Sequence, residues 1–485
     1  MNKINSNIAW NWDNSYVGLP KYFYKKTKPS HVKSPNILII NHSLAKSLNL
    51  NFEYVDQHVL SQTLCGNFIS DGSEPISQVY AGHQFGHFTC LGDGRAHLLG
   101  EHINNKRDRF DIQLKGSGKT PFSRNGDGRA ALGPIIREYI ISEAMYNLGI
   151  STTRSLAVVT TGELVYRQTI QKGAILTRVS RSHIRIGTFE HFAAQGNIEA
   201  LKILFNYTVK RHYSHLERKK HIHAELFKAV ITKQINLVID WMRVGFIHGV
   251  MNTDNVSISG ETIDYGPCAF LDEYDKNKVF SSIDYKGRYA FGNQGKIMQW
   301  NLARFAECLL MIALPEEMDC IKQLLDNIAE LFQKCWSSMM RKKLGLLDVV
   351  DSDFSLATEL LEWMQSSHMD YTNTFLDLHN VNITNDRPYQ DLKFQCWWKK
   401  WRQRISTSDH SFDESLKTMT LNNPMVIPRN HQVQDIINLS ENGDRDKLHQ
   451  FMDALSSPYH LDKKYSLYQV PPTLKQKIKN TFCGT

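Results

Sequence analysis

Apolar and polar residues alternate with a period of two over much of the first 190 residues. The segment FDIQLK (110–115) and the runs 154–168 and 173–190 show this alternation, which predicts β-strands joined by turns at Gly162 and Gly173. Beyond this region the apolar positions recur at helical spacing through most of the remaining chain. The pattern therefore predicts an α+β fold in which most strands precede most helices.

One helix is predicted inside the strand-rich part. Over residues 134–148 an apolar residue recurs every four positions, and Gly149 follows as a helix terminator. Lys115 ends the strand FDIQLK, and Glu138 lies off the apolar stripe of the helix. A strand lysine that faces a helix glutamate is the arrangement with which protein kinases hold nucleotide phosphates. Taken alone, a surface lysine and a solvated glutamate would be the simpler interpretation.

The composition is that of a soluble globular protein, with 41% hydrophobic and 22% charged residues among 485. The N-terminal segment MNKINSNIAWNWDNSY has no apolar core of a signal peptide, and no run approaches the roughly 20 apolar residues of a membrane span. The eight cysteines are scattered without a CxxC pair, which argues against a zinc ribbon or a disulfide framework. We therefore expect a cytoplasmic protein that does not bind a membrane.

The formal net charge of +8 suits an anionic ligand. The positive charge is spread widely along the chain, so it does not by itself indicate a nucleic-acid partner. The basic stretch KRHYSHLERKKHIH (210–223) is also more typical of a solvated face than of an RNA site. We expect an anionic small molecule and no nucleic acid.

Residues 248–266 carry the most informative polar cluster. Asp254 and Asn255 are adjacent, and Asp264 follows nine positions after Asn255, so their oxygens could converge on a hard cation that carries phosphates. The segments VSIS and ETID alternate on either side of Ser259-Gly260 as a short hairpin would, and this hairpin would bring the ligand candidates together. Ordinary Asx turns and a helix cap are the alternative interpretation.

Two glycine-rich segments come earlier in the chain. In FTCLGDGRAHLLGE, Gly92 and Gly94 lie in a turn predicted between two strands, where backbone N–H groups could approach a phosphate and Arg95 adds charge. Most turns of this kind have no ligand. The segment GSGKT is not a P-loop, because Gln113 occupies the position where that motif requires glycine.

Three arginines, Arg178, Arg181 and Arg185, cluster at the end of the last predicted strand, before Gly187. They could clamp a phosphate, although a solvated basic face is an equally simple interpretation. His83 and His87 have the spacing of a zinc-binding helix, but glycines interrupt the segment and HExxH is absent. We expect these histidines to be packed or hydrogen-bonded.

Taken together, these motifs resemble the selenoprotein-O family. The matching segments include YAGHQFGHF, LGDGRA, QLKGSGKTPFSRNGDGRAAL, REYIISEAM, RVSRSHIRIGTFE, HGVMNTDN and DYGPCAFLDEYD, and they extend over most of the chain. The resemblance implies a protein-kinase-like two-lobed fold with N- and C-terminal extensions. It implies an extension over 1–78, an N-lobe over 79–190, a C-lobe over 191–345 and a helical C-terminal region over 346–485.

The resemblance also implies roles for individual residues. Lys115 and Glu138 would form the family's ion pair, Asn255 and Asp264 would hold the metal, and Asp254 would be the base. ATP in this family lies flipped relative to ordinary kinases, so that the γ-phosphate is buried against arginines. The residues that match nucleotide contacts are Gly92, Gly94, Arg95, Lys115, Asp127, Gly128, Arg178 and Arg185.

The resulting hypothesis is a protein adenylyltransferase that uses ATP with Mg²⁺ or Mn²⁺ and modifies Ser, Thr or Tyr hydroxyls of proteins. Transfer of UMP by the same site is a variant of this hypothesis. A kinase that transfers the γ-phosphate is an alternative, but the kinase HRD motif is missing, since Gly249 and Val250 follow His248. A non-catalytic pseudokinase is a third class, and the joint presence of the site residues speaks against it.

The resemblance extends to a cysteine near the C-terminus. Family members end in selenocysteine or cysteine third from the end, as Cys483 does here, and some pair it with a cysteine beyond the Asp-Tyr-Gly motif. Phe280 occupies the segment that aligns with this partner, and Cys268 is the nearest candidate for a redox role. The missing aligned cysteine speaks against a regulatory disulfide.

Overall fold

The fold is built around one antiparallel sheet of eight strands. The computed structural model describes residues 7–380, 382–460 and 462–482. The strand order is β1-β3-β6-β7-β10-β9-β2, with β8 paired to β10; two further pairs, β4–β5 and β11–β12, lie outside this sheet. The strands are β1 (Tyr24–Lys26), β2 (Asn36–Ile40), β3 (Ile76–Gln78), β4 (Ala81–Gln84), β5 (His87–Cys90), β6 (Ala96–Ile103), β7 (Arg109–Lys115), β8 (Ala130–Ala131), β9 (Arg154–Tyr166), β10 (Ile170–Ser180), β11 (Phe246–Ile247) and β12 (Ala269–Phe270).

The central strands are covered on both faces, because successive side chains of a strand point to opposite sides. Val158 and Leu176 belong to one hydrophobic core, whereas their neighbours Val159 and Ile175 belong to the other. The first core contains the long helix after β8, and the second contains the two N-terminal helices. This double burial explains why β9 and β10 contain long apolar runs.

Fifteen α-helices are found within the described residues, and most follow the sheet. The predicted helix over 134–148 is confirmed as Leu132–Asn147, and Gly149 beyond its end has a φ of +79°. The helices are α1 (His42–Ser47), α2 (Gln57–Leu64), α3 (Leu132–Asn147), α4 (Ile186–Ala194), α5 (Ile198–His212), α6 (Ile222–Val244), α7 (Gln294–Leu310), α8 (Pro315–Asp326), α9 (Ile328–Lys343), α10 (Asp353–Ser366), α11 (Tyr371–Asp377), α12 (Leu392–Ser406), α13 (Phe412–Asn422), α14 (Asn430–Glu441) and α15 (Asp446–Leu455).

The helix α6 organises the second half of the chain. Its apolar stripe, which includes Phe227, Val230 and Val238, is buried, and α7, α8 and α9 pack against it. Its C-terminus delivers the chain through β11 into the segment that contains Asp254. Among the described helices, none combines the length and apolar character needed to cross a membrane.

The α+β prediction is confirmed, but two of the predicted turns are wrong. Gly162 and Gly173 lie inside β9 and β10, and the turn that joins these strands falls at residues 167–169. Gly162 has a φ of +70°, and the strand register shifts between Lys172 and Ala174, so both glycines mark irregularities within the pairing. Glycine allows a bulge as readily as a turn, and the alternation alone does not separate the two.

The glycine turn predicted between FTCL and AHLLGE is also wrong. The first segment forms β5, which pairs with β4, whereas the second forms β6 in the main sheet. Residues 91–95 therefore cross from the small pair to the main sheet and do not close a hairpin. This crossing brings Gly92, Asp93 and Gly94 to the cavity described next.

Candidate active site

The segment between Asn255 and Asp264 does not form the predicted hairpin. Ser257 pairs with Arg185 and Thr262 pairs with Thr152, so the two halves pair with other parts of the chain. A turn closed by a hydrogen bond from Gly260 N to Ser257 O connects them. Both ends of the segment nevertheless reach the same cavity, because Arg185 follows β10 and Thr152 precedes β9, the strand paired with β10.

Four ionised side chains meet beneath this cavity. The Nζ of Lys115 lies 2.5 Å from Glu138 Oε2 and 3.0 Å from Asp264 Oδ1. The Nη2 of Arg178 lies 2.5 Å from Glu138 Oε1 and 2.7 Å from Asp264 Oδ1. The two cations and two carboxylates therefore form a closed network that joins β7, β10, α3 and the Asp264 segment.

Arg185 adds a third cation to the network. Its Nη1 donates to Asp264 Oδ2 at 3.1 Å and to the backbone oxygen of Asp254 at 2.7 Å. The guanidinium also lies 4.5 Å from the centroid of the Tyr80 ring, and its Nη2 is 3.9 Å from Asp93 Oδ1. Arg185 thus links Asp254 to Asp264 through hydrogen bonds to both residues.

Burial makes these charges depend strongly on one another. Only 2% of the Arg178 side chain and 4% of the Arg185 side chain are exposed. Burial alone would raise the pKa of Asp264, but Arg178, Lys115 and Arg185 hold it well below its usual range. The same balance between burial and the charges of Arg178 and Lys115 lowers the pKa of Glu138. Both carboxylates are therefore ionised at neutral pH.

Asp254 has a different environment, although it lies close by. It sits in a short 3-10 turn, Thr253–Asn255, and its side chain is almost fully buried. Its Oδ1 has no hydrogen-bond partner among the described residues, and burial raises the pKa of the carboxyl to about 6. A buried carboxylate oxygen without a partner costs free energy, so it is suited to accept a proton or a hydrogen bond from a ligand.

Asn255 and Asp264 present oxygens of the kind that Mg²⁺ and Mn²⁺ prefer. The Nδ2 of Asn255 donates to Val250 O at 3.0 Å, so its amide oxygen is the atom that it can offer a cation. In the part of the chain that the structure describes, no three His, Cys, Asp or Glu side chains gather as a metal site. A divalent ion here would therefore need ligands from the nucleotide or from water, as Mg²⁺ commonly does.

The glycines form one wall of the cavity and pack closely against neighbouring residues. A Cβ on Gly92 would lie 2.4 Å from the Phe122 ring, and one on Gly128 would lie 2.1 Å from Gly118 O. A side chain at Gly94 would meet Phe122 O at 2.9 Å. These positions exclude larger residues and keep backbone N–H groups accessible to a ligand.

The cavity has a volume of about 450 Å³ and collects nearly all the predicted residues. Glu138 does not line it, because it lies behind the lysine and arginine that it neutralises. Asp127 reaches the rim, where both its oxygens accept from Arg167 at 2.9 Å. The predicted residues that line the cavity are Gly92, Gly94, Arg95, Lys115, Asp127, Gly128, Arg178, Arg185, Asp254, Asn255 and Asp264.

Several lining residues were not predicted. Tyr80, Gln84, Asp93, Gln113 and Asn252 also face the cavity. Gln113 could have been found, because it lies two positions before Lys115 on the same face of β7. The Nη1 of Arg178 donates to Gln113 Oε1 at 3.2 Å, a contact set by strand register that the sequence alone does not reveal.

A larger cavity of about 1160 Å³ lies elsewhere; it contains Arg181, which therefore does not join Arg178 and Arg185, and it shares no lining residue with the smaller cavity. Two of its arginines are paired with carboxylates: Arg181 Nη1 lies 3.0 Å from Asp108, and Arg211 Nη2 lies 2.6 Å from Asp111. The smaller cavity, with an unsatisfied carboxylate oxygen and three converging cations, is therefore the candidate active site.

The histidines predicted to be packed lie beside this site. The Nδ1 of His83 lies 2.5 Å from Glu190 Oε1, and its ring contacts Phe88 and Trp300 edge-on. His87 is exposed on β5. The prediction of packed or hydrogen-bonded side chains therefore holds for His83, whereas it is wrong for the exposed His87.

Cys268 is fully buried with a free thiol, and burial raises its pKa to about 12. Cys483 lies outside the described residues. Because the thiolate is the reactive species, we predict that mild oxidation leaves the protein without a Cys268–Cys483 crosslink. Peptide mapping under non-reducing conditions measures this directly, with exposed Cys90 as an internal control for thiol reactivity. Recovery of the crosslinked peptide pair would contradict the prediction.

Comparisons with known proteins give a consistent result. A family model described as protein adenylyltransferase SelO matches residues 7–456. The chain is 52% identical over 483 residues to a protein named protein nucleotidyltransferase YdiU from Nitrosococcus oceani, covering 99% of this chain and 98% of the relative. Relatives of the same name from Pelagibacter ubique and Bacillus thuringiensis are 51% and 49% identical, each with 99% of this chain covered and with 100% and 99% of the relative covered, respectively.

Proposed function

Because this chain belongs to the protein adenylyltransferase SelO family, we propose that its cavity transfers AMP from ATP to hydroxyl groups of proteins, with pyrophosphate as the leaving group. The chain is a nucleotidyltransferase, as are its relatives by name. The observation that carries the proposal is the convergence of Lys115, Arg178 and Arg185 on Asp264, beside an unsatisfied oxygen of Asp254. Converging cations suit a polyphosphate, and a neighbouring carboxylate suits an attacking hydroxyl.

The buried arginines support the flipped orientation of ATP. Arg178 and Arg185 are the least exposed cations of the cavity, so phosphates bound to them would lie at its inner end. The γ-phosphate would then be held inside, and the α-phosphorus would face the acceptor. Lys115 and the arginines would stabilise the negative charge that develops on pyrophosphate.

Asp254 is proposed as the group that orients the acceptor hydroxyl and receives its proton. The Asp254 carboxylate lines the cavity, and burial raises its pKa to about 6, which favours proton uptake near neutral pH. Ser, Thr and Tyr side chains are the proposed acceptors, since each presents a hydroxyl. Transfer of UMP from UTP would use the same phosphate contacts.

Asn255 and Asp264 are proposed to hold Mg²⁺ or Mn²⁺ together with phosphate oxygens. The bound ion would neutralise phosphate charge at the reacting end of the nucleotide. Asp264 now accepts from three cations, so it would exchange part of these contacts when nucleotide and metal arrive together. The phosphates would take over the released lysine and arginine donors.

We propose that the chain has a kinase-like fold of two lobes. The strand lysine Lys115 and the helix glutamate Glu138 pair across β7 and α3, which supports it. We propose that 79–190 form the N-lobe and 191–345 the C-lobe, with 1–78 and 346–485 as extensions.

The scattered cysteines, seven of which are free thiols among the described residues, support a cytoplasmic location.

The position of the transferred label tests the proposed function. We predict that incubation with ATP, Mn²⁺ or Mg²⁺ and a protein acceptor, or the chain itself as acceptor, transfers label from α-labelled ATP. Label from γ-labelled ATP is expected to remain in pyrophosphate. Intact mass measures the same outcome independently, because an adenylyl adduct is far heavier than a phosphoryl adduct.

The control variant for this experiment is Asp254→Ala, which keeps the three cations of the phosphate site. It should bind ATP with little change and lose the transfer of label. Transfer from the γ position, with an adduct of phosphoryl size, would overturn the flipped orientation and favour a kinase.

A further inference from the structure

The larger cavity, of about 1160 Å³, has no role in the proposed transfer of AMP. It lies between parts of the chain that are distant in sequence, namely the N-terminal segment, the turn before β7, the end of β10, the helices α5 and α6, and the turn at residues 259–261. Pockets for small molecules and cofactors usually have volumes of roughly 300–1,000 Å³. The larger cavity therefore has room for a ligand of nucleotide size.

Three of the four carboxylates that line this cavity are paired with arginines. Asp13 Oδ2 lies 2.6 Å from Arg109 Nη2, and Asp108 Oδ1 lies 3.0 Å from Arg181 Nη1. Asp240 Oδ1 lies 3.2 Å from the Nε of an arginine three positions later on α6. The charges of these carboxylates are therefore already balanced by neighbouring cations.

The fourth carboxylate, Glu261, is hydrogen-bonded without a cation. Its Oε2 accepts from the hydroxyls of Ser180 and Ser259, both at 2.8 Å, and from the backbone N–H of Arg181 at 2.9 Å. Three donors on one oxygen satisfy much of the hydrogen-bonding capacity of this carboxylate. Glu261 is therefore held in place and does not need to pair with a lysine of the cavity.

Three lining cations, Arg107, Lys210 and Lys233, form no ion pair with any described residue. Lys233 is partly buried, and its Nζ lies 4.5 Å from the centroid of the Tyr213 ring. Burial lowers the pKa of Lys233, and the charge of Glu261 offsets this effect only in part. A partly desolvated ammonium group without an anionic partner costs free energy, which a bound anion would recover.

The three unpaired cations come from different elements. Arg107 precedes β7, Lys210 lies in the last turn of α5, and Lys233 lies on α6. Guanidinium and ammonium groups are common partners of phosphate in proteins. Cations that reach one cavity from three elements suit a ligand with several phosphate groups better than a single phosphate ion.

We propose that the larger cavity is a second anion-binding site, separate from the candidate active site, for a small molecule that carries two or more phosphate groups. Arg107, Lys210 and Lys233 are its phosphate contacts. The two cavities share no lining residue, so both can be occupied at the same time. Binding in the larger cavity does not require the proposed transfer of AMP, and it is measured without that activity.

Acetylation of lysines with acetic anhydride, followed by peptide mass mapping, locates the bound anion. With inorganic tripolyphosphate as the probe, at saturating concentration and without divalent metal, acetylation of Lys210 and Lys233 should slow at least about fivefold, because bound phosphate covers the amines. Each lysine has a control on its own helix: Lys202 on α5 and Lys228 on α6 are exposed and do not line the cavity. Both controls should keep their rates in about 0.15 M salt, where distant exposed charges are screened.

Two outcomes of this experiment would contradict the second site. Protection of Lys115 without protection of Lys210 and Lys233 would place tripolyphosphate in the candidate active site only. Equal protection of Lys202, Lys210, Lys228 and Lys233 would show a general effect of the polyanion on the basic surface.

Calorimetric titration with tripolyphosphate measures the contribution of individual cations. Lys233→Gln and Arg107→Gln should each raise the Kd of one class of sites about tenfold, as expected for the loss of one hydrogen bond to a charged group. Lys228→Gln is the matched control and should leave the Kd unchanged. Arg107 is exposed, so its substitution tests the site even if Lys233→Gln, which also removes the contact with Tyr213, lowers stability.

Inorganic phosphate serves as the second probe. It should bind the same site at least about tenfold more weakly than tripolyphosphate, because it cannot contact cations from three elements together. Equal affinity for the two probes would show that the site takes a single phosphate group and would overturn the proposed ligand class. An unchanged Kd for tripolyphosphate in both Lys233→Gln and Arg107→Gln would overturn the site itself.

Discussion

Replacing Asp264 with alanine is expected to lower AMP transfer by on the order of 10³-fold and to remove the effect of Mg²⁺ or Mn²⁺ on ATP affinity. Asp264 is the carboxylate on which Lys115, Arg178 and Arg185 converge, and with Asn255 it is the proposed metal ligand. Its loss removes the charged oxygen needed by a hard cation. The three cations remain, so ATP without metal should still bind, and the metal should no longer strengthen that binding.

Calorimetric titration with ATP, in the presence and absence of metal, measures this result. Asp353→Ala is a suitable control, because Asp353 is a buried aspartate whose Oδ1 lies 2.8 Å from Arg404 Nε, away from the cavity. That variant should lose some stability and keep metal-dependent binding. Metal dependence that persists in Asp264→Ala would show that Asp264 is not a ligand.

The sequence predicted the strand and the helix that contain the site residues better than it predicted how these elements pack together. Alternation in FDIQLK and the four-residue spacing after it are local properties, so β7 and α3 were found with Lys115 and Glu138 on them. That these side chains meet at 2.5 Å depends on how α3 packs on the sheet, which local periodicity does not determine. The prediction that Lys115 and Glu138 form an ion pair therefore depended on the family resemblance.

Non-local pairing explains the predictions that were wrong. VSIS and ETID alternate like strands of a hairpin, but their backbone pairs with Arg185 and Thr152 from distant parts of the chain. The segment FTCL similarly pairs with the strand before it and not with the strand after the glycines. A hairpin pattern specifies extended backbone, and the partner is chosen by burial across the whole fold.

The local sequence also does not reveal how the glycines of the YAGHQFGHF segment are used in the fold. Its glycines look like turn residues, yet a Cβ on Gly82 would lie 2.2 Å from the carboxylate of Asp254, more than 170 positions later in the chain. Only Gly86 serves a turn, with a φ of +88°. Glycine that permits close approach and glycine that permits positive φ are identical in sequence, and the folded neighbours alone distinguish them.

Glu138→Gln is expected to reduce both stability and function, since it removes the carboxylate shared by two buried cations. Glu138 accepts from Lys115 at 2.5 Å and from Arg178 at 2.5 and 3.0 Å, and burial is nearly complete. Breaking a buried ion pair by removing one partner costs about 3–5 kcal/mol of the free energy of unfolding, because the other charge remains desolvated. Asp264 still contacts both cations, which places the expected cost at the lower end of that range.

The functional loss should exceed what the stability loss explains. With Glu138 neutralised, Lys115 and Arg178 are both drawn to Asp264, which displaces them from the proposed positions of the phosphates and occupies the metal ligand. We therefore expect ATP affinity and turnover to fall together, measured at a temperature where the variant remains folded.

Glu143→Gln provides the matched comparison on the same helix. Glu143 is also buried and pairs with an arginine, Arg154, at 2.6 Å, but it does not line the cavity. Its substitution should lower the free energy of unfolding by a similar amount and leave ATP affinity unchanged. If both variants lost stability equally and both kept ATP affinity, Glu138 would be a structural residue of α3, and the ion pair with Lys115 would have no part in holding the nucleotide.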